Sequence, residues 1–197
     1  MEQLLRPAAL AGAVAWAIAV PLVATQAADD PVAGRYDEAN RLVTAALVPL
    51  ALAAWAFRER LGERLARIPL GATTWAIGLT LMLAGSAVEF WGAWIAGESG
   101  TAEADRAGVE AWQGSNLGFA LFVMGAFVAA GGALAAGIRL APLVGRTIGL
   151  AVPAAGLAMV AGTLLWSASV TAAAAAALAA AMAWLAIAWA APTPGAV

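Results

Sequence analysis

The sequence predicts an all-α, polytopic membrane protein: one domain over residues 1–197, with six transmembrane helices in a single bundle. Three observations predict this class. Hydrophobic residues make up 63% of the chain, charged residues make up only 11%, and the mean hydropathy is +0.86. Soluble domains are about half apolar and about a quarter charged. The composition therefore excludes a soluble globular domain and a disordered chain.

The first three predicted spans are set off by charged or helix-breaking residues. The first begins after Arg6 and ends before an acidic loop. The second ends at Arg58, where arginines become frequent. The third begins directly after Pro69, which cannot continue a helix from the preceding connection. About 20 helical residues cross the hydrocarbon core, and these spans are 7–27, 41–57 and 70–96.

The last three predicted spans are joined by an acidic loop and two short turns. The acidic loop precedes the fourth span, and Arg139 and Arg146 mark the turn before the fifth. A turn around Ser169 separates the fifth span from the sixth. The sixth contains the alanine run 172–177, so we expect it to need neighbouring helices for stability. These spans are 117–138, 147–168 and 171–191.

Charge asymmetry predicts the orientation of the bundle. With the N-terminus inside the cell, the inner side carries seven arginines against three acids, and the outer side carries three arginines against eight acids. Cytoplasmic loops collect basic residues. We therefore predict a multi-pass protein of the cell inner (plasma) membrane with both termini cytoplasmic. Residues 1–28 also allow a second interpretation, since Arg6, an apolar run and small residues resemble a secretory signal peptide whose cleavage would leave five helices.

Glycine recurs at a spacing of seven in the third and fourth spans. Seven residues advance a helix by nearly two turns, so each series forms one narrow stripe. Small residues let membrane helices approach closely. We predict that the two spans form a tight, left-handed antiparallel pair along these stripes. The stripes are Gly71, Gly78, Gly85 and Gly92 on one helix and Gly118, Gly125 and Gly132 on the other.

Glu89 is the one charged residue well inside a predicted span. It follows Gly85 by four residues and precedes Gly92 by three, so it shares the glycine face and should point into the bundle. Intramembrane carboxylates are rare and mark functional sites by default. Two roles stay open: Glu89 binds a cation, a proton or a small solute, or it pins helices together. The candidate site is Glu89, Ser86, Phe90, Trp91, Trp94 and Arg41.

The residue types that the sequence lacks exclude several kinds of catalytic and cofactor site. The chain has no cysteine, no histidine and no lysine, which excludes thiol redox pairs, histidine-ligated haem or zinc, Ser-His-Asp triads and lysine Schiff bases. We expect no metal, no cofactor and no nucleic-acid partner. A single buried carboxylate offers few catalytic mechanisms, so an enzyme is the least favoured class.

The connection Arg58–Ile68 has its own pattern. Leu61, Leu65 and Ile68 share one helical face, and arginines dominate the rest. The pattern predicts a short helix on the inner membrane surface, either as a connector lying against lipid or as a docking helix for a membrane or cytoplasmic protein.

Two functions follow from the sequence. The first is a small-solute or ion transport protein, or a substrate-binding transport subunit, with its site near Glu89. The second is a non-catalytic accessory or scaffold subunit of a larger membrane complex. A cavity beside Glu89 would favour transport, and a solid core would favour the accessory role.

Overall fold

The described part of the chain is helical. The structure, a computed structural model, describes residues 2–26, 35–65, 69–91, 117–144 and 146–164. Apart from Pro69 these residues are all helical, and they contain no strand. The sixth predicted span, 171–191, lies outside the described residues, as do Gly92 and Trp94.

Five α-helices and one π-helical turn make up this part of the chain. Three helices are long and apolar enough to cross a membrane, over Arg41–Glu59, Leu70–Glu89 and Leu117–Arg139. The first helix has a shorter apolar stretch, Pro7–Ala19. The elements are α1 (Glu2–Gln26), α2 (Arg35–Leu65), α3 (Leu70–Ser86), the π-helical turn (Ala87–Trp91), α4 (Leu117–Val144) and α5 (Arg146–Leu164).

Helix α2 is longer at both ends than its predicted span. It begins at Arg35, inside the predicted acidic loop, and continues past Arg58 to Leu65. The first part of the predicted surface helix is therefore the end of α2. Pro49 lies inside α2, and no further proline occurs before Pro69. The 31 residues of α2 span about 46 Å, which exceeds the roughly 30 Å hydrocarbon core. If α2 crosses a bilayer, at least one of its charged ends extends beyond the hydrocarbon core.

The helices pack in sequence order around an interior of small residues. The extensive contacts join α1 to α2, α2 to α3, α3 to α4 and α4 to α5, and the α3–α4 contact is the largest. Alanine dominates the buried residues, with a few large side chains such as Trp16, Leu47 and Met82. The rings of Phe57 and Trp75 meet edge to face with centroids 6.0 Å apart. Small interior residues let the helix axes come close together.

Hydrogen bonds between side chains join α2 to α3. Trp55 Nε1 donates to Thr80 Oγ1 at 3.1 Å, and Arg58 Nε donates to Thr73 Oγ1 at 3.4 Å. Residue numbers rise along α2 while those of the partners fall along α3, so the two helices are antiparallel.

Six glycines line the contact between α3 and α4, and we call this line the glycine seam. A Cβ atom added at Gly71 would lie 2.6 Å from the backbone N of Ala136, and one added at Gly125 would lie 2.5 Å from the backbone N of Met82. Atoms cannot approach so closely without displacing backbone. The two helices therefore keep this separation only because a Cβ is absent at the seam. Its members are Gly71, Gly78, Gly85, Gly118, Gly125 and Gly132.

The seam holds a constant antiparallel register. Gly78 faces the backbone of Ala129, and Gly132 faces the backbone of Trp75. A step of seven residues along α3 is matched by a step of seven in the opposite direction along α4. Four of the seam glycines, Gly78, Gly85, Gly125 and Gly132, each face a larger residue that stands between two seam glycines of the other helix. Glu89, opposite Gly118, forms the last layer of this series.

The seam predicts that adding one methyl group is damaging at seam positions and is tolerated at an open glycine of the same helix. Gly78→Ala and Gly125→Ala should each lower the free energy of unfolding by about 1–3 kcal/mol, because each added Cβ meets backbone of the facing helix. The matched control is Gly131→Ala on α4, where no atom of the described residues lies within 4 Å of the added Cβ. We expect the control to stabilise by up to about 1 kcal/mol through helix propensity. Reversible unfolding in mixed micelles, followed by circular dichroism, measures all three, and equal losses would contradict the seam.

Candidate functional site

Glu89 lies in the π-helical turn that follows α3. Such a turn holds one residue more than an α-helical turn, is rare, and is frequent at functional sites. The turn contacts both α2 and α4, and Glu89 is half-buried. The backbone geometry therefore marks the same short segment that carries the intramembrane charge.

The carboxylate of Glu89 binds the start of α4. The backbone N–H of Phe119 donates to Oε2 with an N···O distance of 3.2 Å. Phe119 is the third residue of α4, and the first four N–H groups of a helix have no partner within it. A negative charge at this end also interacts favourably with the helix dipole. Glu89 thus caps α4 from a neighbouring helix.

Gly118 makes this cap sterically possible. A Cβ atom at Gly118 would lie 2.6 Å from Oε2 of Glu89 and 2.8 Å from its Cβ. Any larger residue would push the carboxylate away from the N–H group that it binds. Among the described residues, the carboxylate packs directly against Gly118, which leaves no gap for a solute between Oε2 and that residue.

Ser86, one turn before Glu89, pairs with α2. Its Oγ lies 2.6 Å from Oγ1 of Thr44, and both side chains are buried. A hydroxyl buried without a partner would cost about 1–3 kcal/mol, so the two residues satisfy each other. Sequence reasoning missed Thr44. The available signal was a small polar residue in the span before the one that carries Ser86.

Arg41 is half-buried on α2, one helical turn before Thr44. The Thr44–Ser86 pair fixes the local register of the antiparallel helices. One turn back along α2 therefore corresponds to one turn forward from Ser86. Arg41 and Glu89 accordingly lie at the same level of the bundle.

The predicted aromatic residues are only partly placed. Trp91 ends the π-helical turn and is 42% exposed. Phe90 belongs to the same turn, and Trp94 lies outside the described residues. The structure therefore brings Glu89, Ser86 and Arg41 to one end of α2, α3 and α4, with Thr44 as an added member.

This end of the bundle presents a carboxylate, a guanidinium and two hydroxyl groups. Among the residues that the structure describes, no three acidic, histidine or cysteine side chains come together as metal ligands. No protein-family model matches the chain, and comparisons with curated proteins and with solved structures find no match.

The cap predicts a specific loss of stability. Glu89→Ala should lower the free energy of unfolding by about 1–3 kcal/mol, because the Phe119 N–H loses its charged acceptor. Glu89→Gln keeps an acceptor oxygen and should lose less. The matched control is Glu59→Ala, which removes a half-buried carboxylate near the other end of α2. Micellar unfolding and hydrogen exchange at Phe119 N–H report the effect, and equal behaviour of the Glu89 and Glu59 variants would refute the cap.

Proposed function

We propose that the chain is a plasma-membrane protein of six transmembrane helices with both termini cytoplasmic. We further propose that it acts as a non-catalytic accessory or scaffold subunit of a larger membrane complex. The described helices would then form a rigid unit whose interior serves helix packing.

The contacts that the Glu89 carboxylate makes with α4 are the main support for this proposal. Its Oε2 accepts the hydrogen bond from Phe119 N, and Gly118 packs against it. A transport carboxylate needs room for its ion or solute beside the charged oxygens. Glu89 instead fills the last layer of the glycine seam, which supports a structural role for this residue.

The seam itself supports the same role. Close backbone contact extends from Gly71 to the Gly118 layer, so α3 and α4 are packed without a gap along the described seam. Alternating-access transport moves one group of helices against another around a central site. A pair in backbone contact at every heptad moves as one unit, so a transport site would not open between α3 and α4 along the described seam.

The distribution of basic residues supports the proposed orientation. Arg58, Arg60 and Arg64 occupy the last turns of α2, and Arg139 lies near the end of α4. Because α2 and α4 each run antiparallel to α3, these ends lie on the same side of the bundle. Basic residues favour the cytoplasmic side.

Transport is the second candidate, and the polar level around the π-helical turn favours it. Arg41, Thr44, Ser86 and Glu89 lie within one helical turn of each other in height, and polar groups inside membranes mark ion and proton paths by default. On this alternative, the carboxylate would release Phe119 N to bind a cation or proton.

Two measurements on the full chain separate the candidates. For the accessory role, proteoliposomes holding the wild-type chain, Glu89→Gln or the control Glu59→Gln should all show the proton and sodium flux of empty liposomes. Native mass spectrometry of the chain extracted from its own membrane should show a stoichiometric second polypeptide. Flux above that of empty liposomes that is lost in Glu89→Gln and kept in Glu59→Gln, together with a chain that is extracted alone, would instead establish transport.

A further inference from the structure

Arg58 stands where the apolar part of α2 ends. The membrane-spanning stretch Arg41–Glu59 stops beside it, which is the depth of lipid headgroups if α2 crosses the bilayer. Its side chain is half-buried, and Nε donates to Thr73 Oγ1 at 3.4 Å. The hydroxyl of Thr73 in turn donates to the carbonyl of Pro69 at 3.2 Å. The oxygen lone pairs of Thr73 are therefore turned toward Arg58, and the guanidinium is held in one orientation.

Most N–H groups of the Arg58 guanidinium are available to another acceptor. Arginine has five N–H groups, and the contact with Thr73 uses the one on Nε. Among the described residues, no carboxylate forms an ion pair with Arg58. The two terminal nitrogens form a planar fork that matches a phosphate group.

The surroundings of Arg58 fit the rest of a phospholipid. Arg60 and Arg64 continue α2, and the exposed Arg139 lies at the same end of the bundle, so arginines outnumber the acids Glu59 and Glu63 there. Basic pockets between membrane helices at the headgroup level bind anionic lipids. Below Arg58, Ile77 is exposed on α3 and offers apolar surface to acyl chains, while the exposed Leu70, at the start of α3, lies above the level of Thr73.

We propose that Arg58 and Thr73 form a binding site for the phosphate of one anionic phospholipid. The fork of Arg58 binds the phosphate oxygens, and Thr73 fixes the fork. The acyl chains lie along α3 over Ile77, and Trp55, hydrogen-bonded to Thr80, borders the site one turn deeper on α2. This inference goes beyond the proposed function and is compatible with both candidates.

Lipid titration of the purified full-length chain tests the site. Native mass spectrometry measures binding of phosphatidylglycerol and of phosphatidylcholine with the same acyl chains. The wild-type chain should bind one phosphatidylglycerol more tightly than phosphatidylcholine, and Arg58→Gln should weaken that binding by about fivefold or more. Thr73→Val should weaken it in the same direction. The matched control Arg139→Gln, which removes the same charge at the same end, should change it by less than about twofold.

Three outcomes would overturn the proposal. Equal losses in Arg58→Gln and Arg139→Gln would show diffuse attraction without a site. Displacement of the lipid by inorganic phosphate alone would identify free phosphate as the ligand. If Arg58→Gln fails to fold, Arg58→Lys keeps the charge but lacks the Nε donor and the planar fork, and wild-type binding in that variant would refute the geometry.

Discussion

The close backbone contact between α3 and α4 is the constraint on which the described bundle depends. In a bilayer no hydrophobic effect drives helices together, so association relies on van der Waals contact and hydrogen bonds. At the seam a missing Cβ on one helix admits backbone of the other, as where Gly78 meets Ala129. Repeating this contact every seven residues fixes both the separation of the helices and their register. The position of Glu89 opposite Gly118 follows from that register.

The two faces of α3 are stabilised by different interactions. Toward α4 the contact is backbone against small residues, and its polar layer is the carboxylate of Glu89 on Phe119 N. Toward α2 the contact includes hydroxyl groups of α3 at three positions, Thr73, Thr80 and Ser86. The most buried of these contacts is the Thr44–Ser86 pair. Each hydrogen bond in an apolar surrounding satisfies a group that would otherwise be costly to bury. Polar groups are concentrated at the end of α3 near Glu89. There Ser86 binds α2 and Glu89 binds α4.

The periodicity of the sequence was enough to place Glu89 on the glycine face of its helix, since that inference needs only a spacing of four from Gly85. The atom that Glu89 binds could not be predicted in this way. Phe119 N donates to Glu89 because α4 pairs with α3 in one particular register, and the spacing of residues within one helix does not determine that register. The start of α4 at Leu117 agrees with the predicted span 117–138. The Thr44–Ser86 pair was missed for the same reason. The continuation of α2 to Leu65 could have been inferred, because Pro69 is the first strong stop.

Solid-state NMR in lipid bilayers can test directly whether α3 and α4 are in backbone contact at Gly78 and Ala129. A chain labelled with ¹³C at the α-carbons of glycine and alanine should give a through-space cross-peak between Gly78 and Ala129, whereas Gly131 should show none to α3. This result is expected because a Cβ at Gly78 would collide with the backbone of Ala129, while no described residue of α3 lies within 4 Å of a Cβ at Gly131. Absence of the Gly78–Ala129 cross-peak, with contacts from Gly78 to lipid acyl chains instead, would contradict the account.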